Sequence, residues 1–256
     1  MYILKMSFDI VIPLGPKEIS RFGRQIEYTK KNILGYRNIY IVTCNTNIQI
    51  NDCIIINEEA FPFKKFIENY FSQHNGKSNR TGWYFQQLIK LYAGKIIENI
   101  LENYLVLDAD VFFLKPTQFI QNGIPTMSVG DEHHIPYFIH MKKLHESFEK
   151  VHSESGICHH MLFNKKYINE IFQLVEDKHN KQFWQVFILS VTEHLNHPLH
   201  AEESGASEYE LYFNYMIKYH PDKIIVRKLN WKNISERSIV TTNVSGLDYF
   251  SICAWM

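Results

Sequence analysis

Two aspartates one residue apart, Asp108 and Asp110, interrupt the apolar segment YLVLDADVFFLKP at residues 104–116. Burying ionised carboxylates in such a segment is unfavourable unless a cation or dense hydrogen bonding compensates for the lost water. Because side chains alternate across a strand, a strand through this segment would place both aspartates on one face and Ala109 on the other. Two carboxylates on one face suit a hard divalent cation that keeps positions open for phosphate oxygens. The segment therefore predicts a metal site.

The composition is that of a folded domain with no overall charge. The chain has 256 residues, 45% of them hydrophobic, which is enough to bury a sizeable core. Its 27 basic and 27 acidic residues cancel, so no global field recruits nucleic acid, and any phosphate binding must be local. The four cysteines are scattered without a C-x-x-C pair, which argues against a zinc ribbon or a disulfide framework and favours a reducing compartment.

No segment has the pattern of a secretion signal or a membrane span. The start, MYILKMSFDIVIP, is interrupted by Lys5 and Asp9 and lacks a small-residue cleavage site. No apolar run approaches the length of a spanning helix. We expect a cytoplasmic protein without a transmembrane segment, which could also lie peripherally at a membrane.

Strands and helices alternate in the first half of the chain. The expected strands are residues 8–13, 38–43, 53–56 and the aspartate segment, and the expected helices follow Pro16, follow Pro62 and cover residues 83–97. This order predicts an α/β fold with a mainly parallel central sheet covered by helices on both faces. Ligands of such sheets bind beyond the carboxyl ends of the strands, so Pro13, Leu14 and Gly15 should share a crevice with the aspartates.

The second half has a mixed pattern. Strands are expected at residues 126–130, 157–163, 223–229, 238–242 and 249–255, and helices around residues 167–175, 183–191 and 206–219. We expect a smaller mixed region there that holds the acceptor side of any reaction.

Three segments, FDIVIPLGPKE, GWYFQQLIKLYAG and YLVLDADVFFLKP, resemble the DxD-containing glycosyltransferases of the GT-A type. Together with HHMLFNKKY and GASEYELYFNY, they are similar to glycosyltransferase-like proteins of bacteria and giant viruses. The resemblance implies one Rossmann-like GT-A domain over residues 1–256, with a nucleotide-sugar half at 1–116 and an acceptor half at 117–256. It also implies Mn²⁺ or Mg²⁺ on Asp108 and Asp110.

The same resemblance implies a nucleotide-diphosphosugar donor, a UDP-sugar above all, and the hydroxyl of a glycan or glycolipid as acceptor. Asp108 would also contact the nucleotide, and Pro13, Leu14 and Gly15 would line its pocket. Related enzymes often carry a late histidine or aspartate as a further metal ligand. This chain ends in SICAWM, so the third protein ligand is unassigned.

A stripe at helical spacing precedes the aspartates and contains Trp83, Gln86, Gln87 and Lys90. In the functional interpretation, Trp83 and Gln87 belong to the donor pocket and Lys90 offsets diphosphate charge. In the alternative, the polar residues form an ordinary solvated helix face. The resemblance favours the functional interpretation.

Transfer to a hydroxyl requires a general base, and we choose Glu208 from several acidic residues and histidines of the second half. The competing interpretation is structural. Ser207 and Glu210 form an S-x-x-E capping box, and Glu208 would then only favour the positive end of the helix.

Histidines offer two weaker possibilities. His159 and His160 should point to opposite faces of a strand, with the inward one a core histidine or a contact of the metal or diphosphate. His194, His197 and His200 have a spacing that could suggest zinc, but Pro198 disrupts a helix there and paired cysteines are missing.

Two alternatives to a glycosyltransferase stay open. An aspartyl phosphatase would use Asp108 as nucleophile, although that motif normally opens its domain and here about a hundred residues precede it. A non-catalytic nucleotide-sugar-binding protein could use the same scaffold. Retained aspartates argue against it, because unpaired buried carboxylates would destabilise a fold that had lost its metal.

Overall fold

The structure is a computed structural model that describes residues 7–73, 80–191, 204–236 and 242–253. The helices are α1 Ile19–Asn32, α2 Lys64–Gln73, α3 Thr81–Ile96, α4 Ile135–Leu144, α5 Lys165–His179, α6 Phe183–Leu189 and α7 Glu208–Tyr219. The strands of the first half are β1 Phe8–Pro13, β2 Ile33–Leu34, β3 Tyr36–Thr43, β4 Ile54–Asn57, β5 Asn103–Leu107 and β6 Val111–Phe113. Those of the second half are β7 Thr117–Gln118, β8 Ile120–Gln121, β9 Ile124–Ser128, β10 His160–Asn164, β11 Ile225–Arg227, β12 Trp231–Ser235 and β13 Tyr249–Cys253.

The central sheet has the strand order β10-β5-β1-β3-β4. Its strands β5, β1, β3 and β4 are parallel, and β10 is an antiparallel edge strand beside β5. Two smaller sheets, β11-β9-β8 and β12-β13-β6, each combine a parallel and an antiparallel pair. The predicted α/β class, with a mainly parallel sheet and a smaller mixed region, is confirmed.

Apolar side chains leave both faces of the central sheet. On one face, Val11, Tyr104 and Val106 pack into a core formed with helices α2, α3, α5, α6 and α7. On the other face, Ile10 and Leu105 pack against α1 in a second core. Alternation along β1 and β5 thus supplies both layers, as expected for a buried parallel sheet.

Several elements differ from their predicted positions. Helix α4 occupies a histidine-containing stretch that had no predicted element, and β12 was also missed. The strand predicted at residues 238–242 lies almost entirely outside the described residues. The strand predicted through residues 104–116 ends at Leu107 and resumes only at Val111 as a separate strand. None of the described helices is both long and apolar enough to cross a bilayer.

Helix α3, which carries Lys90, leaves room at Gly94 for the Tyr104 side chain of β5 and the Lys165 side chain of α5. A Cβ at Gly94 would come within 2.7 Å of the Tyr104 ring and 2.9 Å of Lys165 Cγ. A Cβ at Gly23, inside α1, would meet no atom within 4 Å. The two glycines therefore provide a matched test of this approach.

We expect Gly94→Ala to lower the free energy of unfolding by about 1–3 kcal/mol, because the added methyl would clash with the buried Tyr104 ring and with Lys165. Gly23→Ala should raise it by up to about 1 kcal/mol through helix propensity. Urea denaturation followed by circular dichroism measures both. An unchanged or increased stability for Gly94→Ala would show that the helix can shift without cost.

Candidate active site

Asp108 and Asp110 lie in a turn at the carboxyl end of β5. The Val111 N–H donates to the Asp108 carbonyl at 3.3 Å, which closes the turn before β6. The prediction that a continuous strand presents both side chains on one face is therefore wrong. The turn positions the two carboxylates instead, and it does so at the sheet edge where parallel strands β1 and β5 both end.

His159 lies opposite the first aspartate. Strand β10 pairs antiparallel with β5 so that His160 faces Leu107, and the Asp108 N–H continues the ladder by donating to the His159 carbonyl at 3.0 Å. His159 has a φ of 63°, in the left-handed region that histidine tolerates better than branched residues do. Its side chain thereby reaches Asp108, with Nδ1 at 3.2 Å from Oδ2.

Asp108, Asp110 and His159 form a compact group of candidate metal ligands. One ligand atom from each lies within 4.8 Å of the others, and no second such group of three occurs among the described residues. The two neighbouring histidines point to different sides, as expected, with His159 at the aspartates and His160 in the core, although β10 begins only at His160. His160 is buried and its Nε2 lies 3.1 Å from Ser128 Oγ. His159 is thus a candidate for the third protein ligand that the sequence analysis left unassigned.

Lys90 is the buried cation of the site. Its Nζ lies 2.5 Å from Asp108 Oδ1 and 2.7 Å from Glu208 Oε1, and it sits 4.4 Å from the centre of the Tyr209 ring. Lys90 and Glu208 side chains are each only 4% exposed. The solvated-face interpretation is therefore wrong for Lys90, and for Gln87, which is 2% exposed. The ammonium charge is shared between two carboxylates rather than directed at solvent.

Asp108 is held ionised by its neighbours. Burial alone would raise the pKa of Asp108, but the positive charge of Lys90 and the hydrogen bond with His159 outweigh burial and lower it below its usual value. The Tyr209 hydroxyl also donates to Asp108 Oδ1 at 3.0 Å. Burial lowers the pKa of Lys90 less than the charges of Asp108 and Glu208 raise it. The contact between Lys90 and Asp108 thus stabilises the charged form of each side chain.

Asp110 has a different environment. Burial, together with the negative charge of Asp108, raises the pKa of Asp110 to about 6. One hydrogen bond supports its carboxylate, from Ser251 Oγ to Oδ1 at 3.2 Å, and the Ile252 N–H donates to its carbonyl at 3.0 Å. The last strand, β13, therefore contributes Ser251 to the site. The sequence analysis had looked for a further metal ligand in this part of the chain. A second carboxylate beside an ionised one favours a bound cation.

Asn233 orients the imidazole from behind. His159 Nε2 lies 3.0 Å from the Asn233 side-chain oxygen, which can only accept, so Nε2 donates in this bond. Nδ1 faces the Asp108 carboxylate, to which it also donates, so Nδ1 would have to release its proton to bind a cation. Metal-bound histidines commonly donate their second N–H to such an oxygen, which fixes the ring orientation.

A cavity of about 430 Å³ opens beside Asp108. Its walls come from α3, the start of α4, the segment before β10, the start of α7 and β12. The lining residues are Arg80, Trp83, Gln86, Gln87, Lys90, Asp108, Glu132, His134, Tyr137, Ile157, His159, Ser204, Ser207, Glu208, Tyr209 and Asn233. This volume is typical of sites for small molecules. The predicted helix stripe lines the cavity together with Glu208.

The start of α7 separates Glu208 from Glu210. Ser207 is the N-cap residue, and its hydroxyl accepts from the Glu210 N–H at 3.2 Å. The Glu210 carboxylate instead accepts from Ser155 Oγ at 2.5 Å and Asn214 Nδ2 at 2.6 Å. The predicted capping box is thus only half formed. Glu210 ties the loop before β10 to α7, whereas Glu208 faces the cavity, where burial raises its pKa against the opposing charge of Lys90.

Some predicted site residues lie elsewhere. Pro13 ends β1, and Leu14 and Gly15 follow it at the same sheet edge, but none of the three is among the described residues that line the cavity. Leu14 is buried and its N–H donates to Val42 at 2.8 Å. Their contact with a nucleotide stays a prediction. The histidines His194, His197 and His200 lie outside the described residues.

Tyr209 and Asn233 are site residues that sequence analysis missed. Tyr209 follows the chosen Glu208 directly, and only the helix start seen in the structure turns its hydroxyl to Asp108. Asn233 belongs to a strand that was not predicted. Neither residue carries a local pattern that would distinguish it from an ordinary tyrosine or asparagine.

Residues 37–229 match a family described as a family of unknown function (DUF6492). No curated protein matches the sequence. Among solved structures, mouse xyloside xylosyltransferase 1 in its apo form has 8% sequence identity and a TM-score of 0.46, covering 96% of this chain and 97% of that one. The galactosyltransferase LgtC, in complex with donor and acceptor sugar analogues, has 11% identity and a TM-score of 0.43, covering 96% and 87%. Both likenesses are distant and assign no role to a residue of this chain.

We expect Lys90→Met to lower the free energy of unfolding by about 3–5 kcal/mol, because it leaves two buried carboxylates without their cation. Lys95→Met, at an exposed position of the same helix, should change it by less than about 0.5 kcal/mol. The double variant Lys90→Met/Glu208→Met should lose less than the two single losses combined. Denaturant titration measures all four variants. A purely additive double variant would mean that charge imbalance is not the cause.

Proposed function

This chain belongs to the family of unknown function (DUF6492), and we propose that it is a metal-dependent glycosyltransferase. It would move a sugar from a nucleotide-diphosphosugar, such as a UDP-sugar, to the hydroxyl of a glycan or glycolipid. The observation that carries the proposal is the convergence of Asp108, Asp110 and His159, of which Asp108 and His159 line a cavity of about 430 Å³. The segments that resemble GT-A enzymes supply these aspartates and the helix that faces them.

The donor set fits a divalent cation. Two carboxylates and one imidazole lie close enough for one ion, and Asn233 already orients the imidazole. Mn²⁺ accepts such a mixed set of oxygen and nitrogen ligands, whereas Mg²⁺ prefers oxygen alone. When bound, the cation would offset diphosphate charge and stabilise the departing nucleotide.

The charge of the cavity also supports the proposal. Lys90 is paired with both Asp108 and Glu208, so the carboxylates of the site outnumber the buried ammonium. A diphosphate would be repelled by such a site unless a cation accompanied it. The sequence analysis expected Lys90 to compensate the diphosphate charge directly. In our proposal Lys90 instead orients Asp108. Arg80, at the half-exposed side of the cavity, is better placed to meet phosphate oxygens.

Glu208 is the proposed general base. It lines the cavity, its side chain is 4% exposed, and Lys90 holds it in place at 2.7 Å. An acceptor hydroxyl bound in the cavity could give its proton to this carboxylate as it attacks the sugar. In this proposal residues 1–116 contribute most donor contacts, and residues 117–256 contribute the base and the acceptor side.

We expect Asp110→Asn to abolish sugar transfer and the Mn²⁺-dependent stabilisation by nucleotide sugars, while the fold stays intact because a strained like-charge neighbour is removed. For the wild type, a ligand at one hundred times its Kd should add about 2.7 kcal/mol of stability. Thermal shift measurements with UDP-, GDP- and ADP-sugars, with and without Mn²⁺, provide the readout. Asp222→Asn, at an exposed aspartate far along the chain, serves as the control.

Three outcomes would contradict the proposal. Full activity of Asp110→Asn would remove the metal from the mechanism. Stabilisation by nucleotides without preference for a sugar would favour a different ligand class. Release of inorganic phosphate from phosphate esters, lost on Asp108→Asn, would favour the phosphatase alternative.

A further inference from the structure

Tyr209 contacts both members of a buried ion pair at the wall of the cavity. Its ring centre lies 4.4 Å from Lys90 Nζ, and its hydroxyl donates to Asp108 Oδ1 at 3.0 Å. The residue belongs to the first turn of α7 and is 4% exposed. Glu208, its neighbour in the chain, is the proposed base, whereas Tyr209 contacts a proposed metal ligand.

The two carboxylate oxygens of Asp108 have different partners. Oδ1 accepts from Lys90 Nζ at 2.5 Å and from the Tyr209 hydroxyl at 3.0 Å. Oδ2 lies 3.2 Å from His159 Nδ1, which is its one side-chain partner among the described residues. A carboxylate oxygen has two lone-pair directions, so the two donors fill those of Oδ1. Oδ2 is therefore the oxygen that the fold leaves for a cation.

The spacing of Asp108 Oδ2 and His159 Nδ1 agrees with this assignment. Two ligand atoms that each lie about 2.0–2.3 Å from one ion, at right angles to each other, are about 2.8–3.3 Å apart. The observed 3.2 Å falls in that range. A cation can thus replace the proton between these atoms, which leaves to solvent, while both side chains keep their positions. Oδ1 could join the cation only by giving up a donor.

We propose that Tyr209 is a positioning residue for the metal: together with Lys90 it holds Asp108 Oδ1, so that Asp108 binds the cation through Oδ2 alone. This inference rests on the proposed function and deepens it, because it assigns one ligand atom and the residue that selects this atom. The hydroxyl acts through Asp108 and does not itself touch the cation or the substrates.

The test removes one hydroxyl group. Tyr209→Phe leaves the ring against Lys90, and we expect it to raise the Kd of the metal-free protein for Mn²⁺ alone about tenfold, as for the loss of a partner that orients a ligand. Tyr212→Phe is the matched control and should leave this Kd unchanged. Tyr212 lies on the same helix, is 1% exposed and does not line the cavity, and its hydroxyl accepts from the Asn164 N–H at 3.0 Å. Electron paramagnetic resonance of free Mn²⁺ gives each Kd.

A second readout separates positioning from direct contact with the nucleotide. Calorimetry gives the Kd of UDP at saturating Mn²⁺ and at an Mn²⁺ concentration near the wild-type Kd for the ion. Tyr209→Phe should weaken UDP binding only at the lower concentration, because excess metal refills the site. Equally weakened UDP binding at saturating Mn²⁺ would mean that Tyr209 contacts the nucleotide, and would overturn the positioning role.

The outcomes separate this inference from the proposed function. If wild-type protein does not bind Mn²⁺, the proposed function fails and this inference fails with it. If the wild type binds Mn²⁺ but Tyr209→Phe has the same Kd, or Tyr212→Phe weakens binding equally, only the role of Tyr209 is overturned. Near-ultraviolet circular dichroism checks that each variant is folded.

A crystal structure of the wild-type protein with Mn²⁺ tests the same inference without any variant. We expect Asp108 Oδ2 on the ion, with Oδ1 still in contact with Lys90 and Tyr209. An Asp108 carboxylate that binds the ion through both oxygens would overturn the inference and leave the proposed function standing.

Discussion

The site depends on one buried ammonium group held between two carboxylates. Lys90 on α3 contacts Asp108 after β5 and Glu208 at the start of α7, and these elements are far apart in sequence. Because a buried charge must be paired, α3, the turn after β5 and the start of α7 pack where Lys90, Asp108 and Glu208 are in contact. The interaction thereby fixes one wall of the cavity at the carboxyl end of the central sheet. Gly94, one turn after Lys90, leaves room for the buried Tyr104 ring of β5 to pack against α3.

The same interaction gives Asp108 and Asp110 different pKa values. Asp108 is ionised and oriented by Lys90, Tyr209 and His159, whereas burial and the neighbouring negative charge raise the pKa of Asp110 to about 6. Asp108 thus has several charged and polar partners, whereas among the described residues Asp110 accepts one side-chain hydrogen bond, from Ser251. In the proposed function, a cation held by Asp110 and His159 would offset the charge of the second carboxylate.

The sequence predicts those helices and strands in which buried residues recur in a regular pattern along the chain. Buried strands such as β1 and β5 have continuous apolar sequences, and a parallel sheet with two covered faces follows from their alternation with helices. The turn at Asp108 was not predictable, because apolar residues continue on both sides of it and only hydrogen bonding ends the strand. The sequence named His159 and His160 together as possible contacts of the metal, but it could not choose between them, since the position of His159 depends on the antiparallel register of β10. In the sequence, Lys90 has the pattern of a solvent-exposed lysine on a helix. Only its contacts with Asp108 and Glu208, which are distant in sequence, show that it is buried.

The most direct measurement of the central claim is the anomalous scattering of Mn²⁺ in crystals grown with UDP. Our account predicts one strong peak near the carboxylates of Asp108 and Asp110 and Nδ1 of His159, at coordination distances of about 2–2.5 Å. Lys90 should keep its contacts with Asp108 and Glu208 in the same crystals. Absence of this peak at saturating Mn²⁺, or a peak held by other residues, would contradict the account.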